Sequence, residues 1–332
     1  MALKKIHIFS IMLFLLLVLT SCADSTITNE IKETGVRTGG IQHGVVIPDP
    51  ETSKFTFEYT GKPIELTYML ENGDIPDNWG LYIFTNGIQQ PFTIDHDKDL
   101  KKVYIHNFAP KEKKLINIRF NPVSGDIGDS VQVVFIVMLD PNYVLDRKSN
   151  IHQYGNNHAI TQMPWKIDFK SKNYNNINSK ILEKGTKLDI PIDYKKRYEE
   201  VDVNGNVDSV LDSSICFEFF NKSYYESEIY VGNKIDIDFT INGAGSYNGY
   251  EKIKYRLSIY ANHKILNAFY GEKYVDIEIQ KGKVTNLKVK IPYGDLIDND
   301  FIYLMAVPLS DDNTTINFIP VQKTESIPLT KE

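Results

Sequence analysis

The densest group of side chains able to donate, accept and stack lies in DPNYVLDRKSNIHQYGNNHAITQ, residues 140–162. Tyr143, Arg147, His152, Tyr154, Asn156, Asn157 and His158 bring aromatic faces, a guanidinium, imidazoles and amides into one stretch. Such a mixture suits adaptable hydrogen bonding and stacking against a protein or a glycan. The stretch separates two apolar segments, and connections beyond about 12–15 residues without structure of their own are commonly functional. These seven residues are the candidate binding surface. Oxygen-rich turns at ENGDIPDN, DHDKD and GDLIDND raise calcium, which takes six to eight oxygen ligands. Yet Asp and Asn favour turns for backbone reasons alone, and Lys98, Lys101 and Lys102 offset the carboxylates of DHDKD. DVNGNVD, starting at Asp202, departs from an EF-hand loop, with Gly205 at its fourth position and Ser213 at its twelfth. Calcium is not favoured, the histidines show no zinc-ligand spacing, and no metal or other cofactor is expected. There is no Gly-x-Ser-x-Gly elbow, His-Glu-x-x-His helix, phosphate loop or dinucleotide fingerprint, so the expectation is a protein that is not an enzyme.

The two cysteines, Cys22 and Cys216, carry different readings. Lys4 and Lys5 precede an apolar run from Ile8 to Leu19, broken by Ser10 and closed by Leu19-Thr20-Ser21-Cys22. The run is too short for a spanning helix, which needs about 20 residues. The order of positive, apolar and small residues is that of a secretory signal. Its last four residues resemble the lipobox of bacterial lipoproteins. That resemblance implies cleavage before Cys22, a diacylglyceryl lipid on its sulfur, and attachment to the extracytoplasmic face of a cell membrane. Two or more acyl chains give stable anchoring where one does not. Cys216, in SSICFEFFN, reads as a small buried hydrophobe, because nothing local would activate its thiol.

Removing residues 1–21 takes Lys4 and Lys5 with them and moves the formal charge from −6 to −8. An acidic chain without a basic run argues against nucleic acid as a partner. It also leaves the lipid, not a polybasic patch, to hold the membrane. SIPLTKE near the C-terminus is not a wall-sorting motif.

What must position the candidate residues is a series of strands. Residues 22–44 are polar and read as a flexible tether. From residue 45, short β-branched and aromatic runs such as KFTFEY, PIELTYML, KKVYIHNF and DSVQVVFIVML alternate with Gly, Pro, Asn and Asp clusters, and no stretch keeps a helical period. The first such series fills 45–170, an Asn-rich linker 171–180, and a second series 181–332. Five pairs of segments match in order. SKFTFEY matches SSICFEF, PIELTYML matches KIDIDFTI, LYIFTNG matches LSIYANH, KLINIRFNP matches TNLKVKIP, and VFIVMLDP matches YLMAVPLSD. Their offsets of 160, 171, 176, 171 and 169 drift by loop-sized amounts, as in a duplicated module.

About seven strands per copy suit a sandwich of immunoglobulin type, and PKEKKLINIRFNPVSGDIGDSVQVVF resembles the late strands of bacterial Ig-like modules. The expected fold class is all-β: two tandem immunoglobulin-like β-sandwich domains. Period-two alternation sets Trp79 with Leu81 and Ile83, and Trp165 with Ile167 and Phe169, on core faces, not on a sugar platform. A solute-capture lipoprotein would need two α/β lobes, which this sequence does not contain. The expected function is binding or adhesion through sandwich loops or an edge strand, with a protein or glycan partner. The alternatives are a scaffold subunit of an envelope assembly and a hydrolase of wall polymer. Turnover would reveal the hydrolase, and co-purification with a single envelope protein the scaffold.

Overall fold

A computed structural model describes residues 40–47, 55–143, 160–177, 186–189, 215–220, 229–231, 237–245, 247, 250–291, 301–309, 319–324 and 326–331. The described residues are all-β and contain no helix. In the first half, β1 (Ile41–Val45), β3 (Ile64–Asn72), β8 (Lys113–Phe120) and β6 (Thr93–Ile94) form one sheet in that order. A second sheet runs β2 (Thr56–Tyr59), β10 (Ile160–Phe169), β9 (Ser130–Leu139), β4 (Asp77–Thr85) and β5 (Ile88–Gln89), with β7 (Tyr104–Phe108) also on β4. These are the A-B-E-D and A′-G-F-C-C′ sheets of the immunoglobulin fold. The parallel pairing of β2 with β10, Phe57 opposite Ile167, belongs to the same topology.

The second half repeats it. β12 (Ile215–Phe220), β14 (Ile237–Gly245) and β18 (Lys283–Ile291) stand as A, B and E. β13 (Ile229–Val231), β21 (Ile327–Lys331), β19 (Phe301–Leu309), β15 (Lys252–Ala261) and β16 (Lys264–Ile265) stand as A′, G, F, C and C′. β17 (Val275–Gln280) lies on β15 and β20 (Gln322–Lys323) on β19. One strand is exchanged: β11 (Thr186–Asp189), from the start of the half, occupies the outer edge of β18, where the first copy places β6.

The expected duplication therefore holds at the level of topology, with one correction. SKFTFEY and SSICFEF are not equivalent. β2 lies parallel to the last strand of its half, whereas β12 pairs antiparallel with β14. The counterpart of β12 is β1. The C and F matches hold in mutual register: Phe84 faces Val134, and their equivalents Tyr260 and Tyr303 face each other. The E match is the right strand shifted by two residues, since Tyr68 faces Ile116 while Phe239 faces Val289. A shift of two keeps every side chain on its face.

Alternation builds each core. In β8, Ile116, Ile118 and Phe120 are buried between exposed Leu115, Asn117 and Arg119. Both tryptophans are core residues, Trp79 at 3 % and Trp165 at 4 % exposure, and Trp79 donates its Nε1–H to Asn72 Oδ1 at 3.0 Å. Cys216 lies within β12, but its side chain falls outside the described residues. Asn173, in the expected linker, is buried and donates to the carbonyls of Pro122 and Gly125 at 3.0 and 3.1 Å. Residues 171–177 thus dock on the first sandwich.

Alternation fails in β4, β9, β15 and β19, which are buried almost end to end. Strands buried on both faces read as continuous apolar runs. One face of each fills its own sandwich. The other joins a third core, where Tyr82, Phe84, Val134 and Ile136 of the first copy meet Tyr260, Tyr303, Met305 and Val307 of the second. The sandwiches are packed back to back.

Polar contacts fix this seam. Arg256 pairs with Asp276 through two bonds of 2.6 and 2.7 Å and donates from Nη1 to the carbonyl of Asn86 at 2.7 Å. Gln162 mimics a strand, donating to Ile319 O at 2.9 Å and accepting from Val321 N at 2.6 Å. Gly87 has φ +71°, and a Cβ there would lie 2.8 Å from Cβ of Arg256. Gly87→Ala is expected to cost about 2–4 kcal/mol, from left-handed strain plus overpacking. Gly282→Ala, at φ +70° with open space around it, should lose only the strain component, about 1 kcal/mol. Urea unfolding of the two variants reads the difference.

Candidate functional site

The first sandwich carries an open groove of about 1190 Å³ between its sheets, beside the place where the chain leaves β1 and re-enters as β2. β1 pairs with β3 from Ile41 opposite Asn72 to Val45 opposite Tyr68, and Val46 N still donates to Thr67 O at 2.9 Å. Among the described residues, no strand pairs with β3 on the β1 side beyond this bond.

The floor of the groove is aromatic and aliphatic: Phe57, Leu66, Ile118 and Trp165. Phe57 stacks on the Trp165 indole at 4.7 Å and 16°, and Phe55 meets its edge at 5.4 Å. Phe55 turns the chain into β2 with φ 50°, a left-handed conformation costly for a bulky residue. Trp165 Nε1 is buried and, among the described residues, has no acceptor. A buried donor left unpaired costs about 1–3 kcal/mol. The nitrogen is closed off from solvent, although the Trp165 ring lines the groove. The rim carries Glu58, Glu65, Asp95 and Asp168 against Arg119 and Lys170. Both bases are engaged, Arg119 with Glu65 at 3.3 Å and Lys170 with Asp168 at 3.9 Å.

His43 closes the other end of β1 across the sandwich. Its Nδ1 lies 2.6 Å from the Tyr68 hydroxyl and its Nε2 bonds the Thr161 hydroxyl on β10. Burial pushes this imidazole down to about 4.

Of the sequence-chosen loop, Tyr143 is described and half-buried, with its N–H donating to Asp140 O at 2.8 Å. Arg147, His152, Tyr154, Asn156, Asn157 and His158 lie outside the described residues, as does Cys22. The loop's first turn is held at the seam, where Asn142 Oδ1 lies 2.8 Å from His263 Nε2. His263 Nδ1 lies 2.9 Å from the Tyr82 hydroxyl and 3.0 Å from that of Tyr303. Burial first, and then the Lys323 cation, bring His263 down to about 4. In the acidic turns, Asp97 pairs with Lys101 at 2.7 Å, and Asp95 Oδ1 accepts from Asn117 N at 2.8 Å. Among the described residues no three His, Cys, Asp or Glu side chains are placed to hold a metal ion. Sequence reasoning passed over the groove, whose lining comes from segments far apart in the chain.

No family model and no curated protein matches this chain. Several solved structures match it at low identity. The CARDB domain of a Pyrococcus furiosus protein matches at 14 % identity and TM-score 0.23, over 40 % of this chain and 92 % of its own. The Salmonella enterica SafA pilin in complex with its SafB chaperone matches at 8 % and 0.24, over 82 % and 91 %. A Porphyromonas gingivalis protein of unknown function matches at 9 % and 0.23, over 88 % and 99 %. These likenesses assign no function.

Proposed function

We propose that the chain is a non-catalytic binding module of a bacterial cell envelope, held to the extracytoplasmic membrane face by lipid on Cys22, and that the groove of the first sandwich receives its partner. The observation that carries this is the open groove itself, floored by Phe57, Leu66, Ile118 and Trp165 between the two sheets. A rigid pair of strands positions it, as a binding site requires.

The test uses residues 23–332 without lipid, screened against matrix proteins, envelope glycans and solubilised envelope proteins. The variants are Trp165→Phe, which keeps the ring stack and removes the donor, and a Gly/Ser replacement of 147–158. A saturable partner weakened by Trp165→Phe and retained by the loop replacement supports the groove. A partner lost only with the loop moves the site to residues 143–158. No partner with either protein overturns the binding reading. The scaffold alternative predicts one native envelope protein as the sole companion.

A further inference from the structure

We infer that the edge of the seam where Lys102, Lys264 and Lys273 converge is an anion site for a multiply charged phosphate group. It shares no lining residue with the groove and stands or falls independently of it. The sequence contains no basic run here, because the three positions are far apart in it. The seam assembles them. Lys102 is followed by Val103, Lys264 by Ile265 and Lys273 by Tyr274, and all three successors pack into the core shared by the two sandwiches. Gln89, itself buried, ties two of these segments together. Its backbone N–H donates to the Tyr274 hydroxyl and its side-chain Nε2 to Lys102 O, both at 3.2 Å. Lys264 and Ile265 are consecutive on β16, so as Ile265 enters the core Lys264 turns away from it. All three lysines are exposed.

The chain has 43 carboxylates against 37 lysines and arginines. Yet among the described residues no carboxylate lies within ion-pairing distance of Lys102, Lys264 or Lys273. Of the acids close in sequence, Asp97 pairs with Lys101 at 2.7 Å and Asp276 with Arg256 at 2.6 Å, while Asp99 and Glu272 reach none of the three. Burial first, and then the charges of Lys273 and Lys264, push the Lys102 ammonium below its ordinary value. Like charges gathered without a counter-charge repel, and an anion seated among them removes that repulsion. Lysine is a compact point charge and a phosphate ligand, whereas a planar carboxylate is matched by the fork of an arginine. Three point charges from separate segments therefore suit a tetrahedral, multiply charged group. A soluble phosphate compound and the phosphomonoester headgroup of a lipid both present that chemistry.

Calorimetry of residues 23–332 with inorganic tripolyphosphate at low salt tests the site. Tripolyphosphate should bind saturably and weaken as salt is raised. Lys102→Gln and Lys273→Gln should each weaken it about three- to fivefold, and the triple variant that adds Lys264→Gln by about thirtyfold or more. Lys273→Arg keeps the charge and should stay within about twofold. Lys113→Gln, on the sheet that faces away from the seam and paired there with Glu71 at 3.2 Å, should bind as the parent does. The replaced side chains are exposed, and melting curves read folding and ligation together. Tripolyphosphate should raise the melting temperature of the parent and not that of the triple variant. Sedimentation with phosphatidylcholine vesicles, with and without phosphatidic acid, separates the two sources. Binding to phosphatidic acid vesicles that is lost in the triple variant assigns a lipid headgroup, and binding of tripolyphosphate alone a soluble phosphate compound. Citrate binding as tightly as tripolyphosphate overturns the phosphate assignment. Undiminished binding by the triple variant, or no binding of either probe by the parent, overturns the site and leaves the groove untouched.

Discussion

Residues 38–180 produced without the second half are expected to self-associate and to bind a hydrophobic dye, instead of forming a stable monomer. The first sandwich sets Tyr82, Phe84, Ile88, Val134, Ile136 and Met138 into the seam, and every one of them is buried there. Burying a large apolar side chain contributes about 1.5–3 kcal/mol, so losing the seam removes on the order of 10 kcal/mol. Whole domains have only about 5–15 kcal/mol of net stability. The seam polar groups add to the loss, since Gln162 would lose its partners on residues 319 and 321, and Tyr82 its partner His263. Size-exclusion chromatography and urea unfolding of the half-chain against residues 23–332 measure the effect. A soluble half-chain monomer with the midpoint of the whole would refute the energetic importance of the seam.

Acid should destabilise the molecule before its carboxylates protonate. His43 and His263 are neutral in the fold down to about 4, whereas the unfolded chain takes up their protons near 6.5. Above 6.5 both states are neutral and the histidines contribute no pH dependence. Between 6.5 and 4 the unfolded state holds more protons, so stability falls as pH falls. The full shift would be worth about 3 kcal/mol per histidine, and partial exposure reduces this to roughly 2. Burial lowers Lys323 to about 7, so below about 6 it is charged in both states and adds no slope of its own. The measurement is urea unfolding at pH 7.5 and 4.5 for the parent, His43→Gln and His263→Asn. Asparagine suits the left-handed backbone of residue 263, with φ 65°, and carries no titrating proton. Each variant should lose less stability on acidification than the parent. Parallel losses in all three would place the acid sensitivity elsewhere.

The all-β class and the twofold repeat were legible because alternation survives wherever a strand has one wet face, as in KKLINIRF. Strand parity likewise sent both tryptophans inward. The seam was also written in the sequence, as VQVVFIVML and FIYLMAV, runs too apolar for half-exposed strands. They read equally well as strands of separate sandwiches, because periodicity records burial and not the identity of the covering surface. The false match of β2 with β12 has a related cause. Four to six alternating residues encode a face, while the neighbour in the sheet is chosen by the chain around them. The groove needed Phe57, Leu66, Ile118 and Trp165 together, and no local pattern joins segments so far apart.

The seam has the symmetry of a homodimer contained in one chain. Equivalent strands meet, β4 and β9 of one copy against β15 and β19 of the other. The equivalent turns reach across in both directions, Asn86 to Arg256 and His263 to Tyr82. Contacts of this isologous kind are self-complementary and close at two members. A head-to-tail arrangement would leave one adhesive face open at each end and invite filaments. Here the duplication sets both copies of that face against each other within a single polypeptide, so this pairing does not depend on concentration.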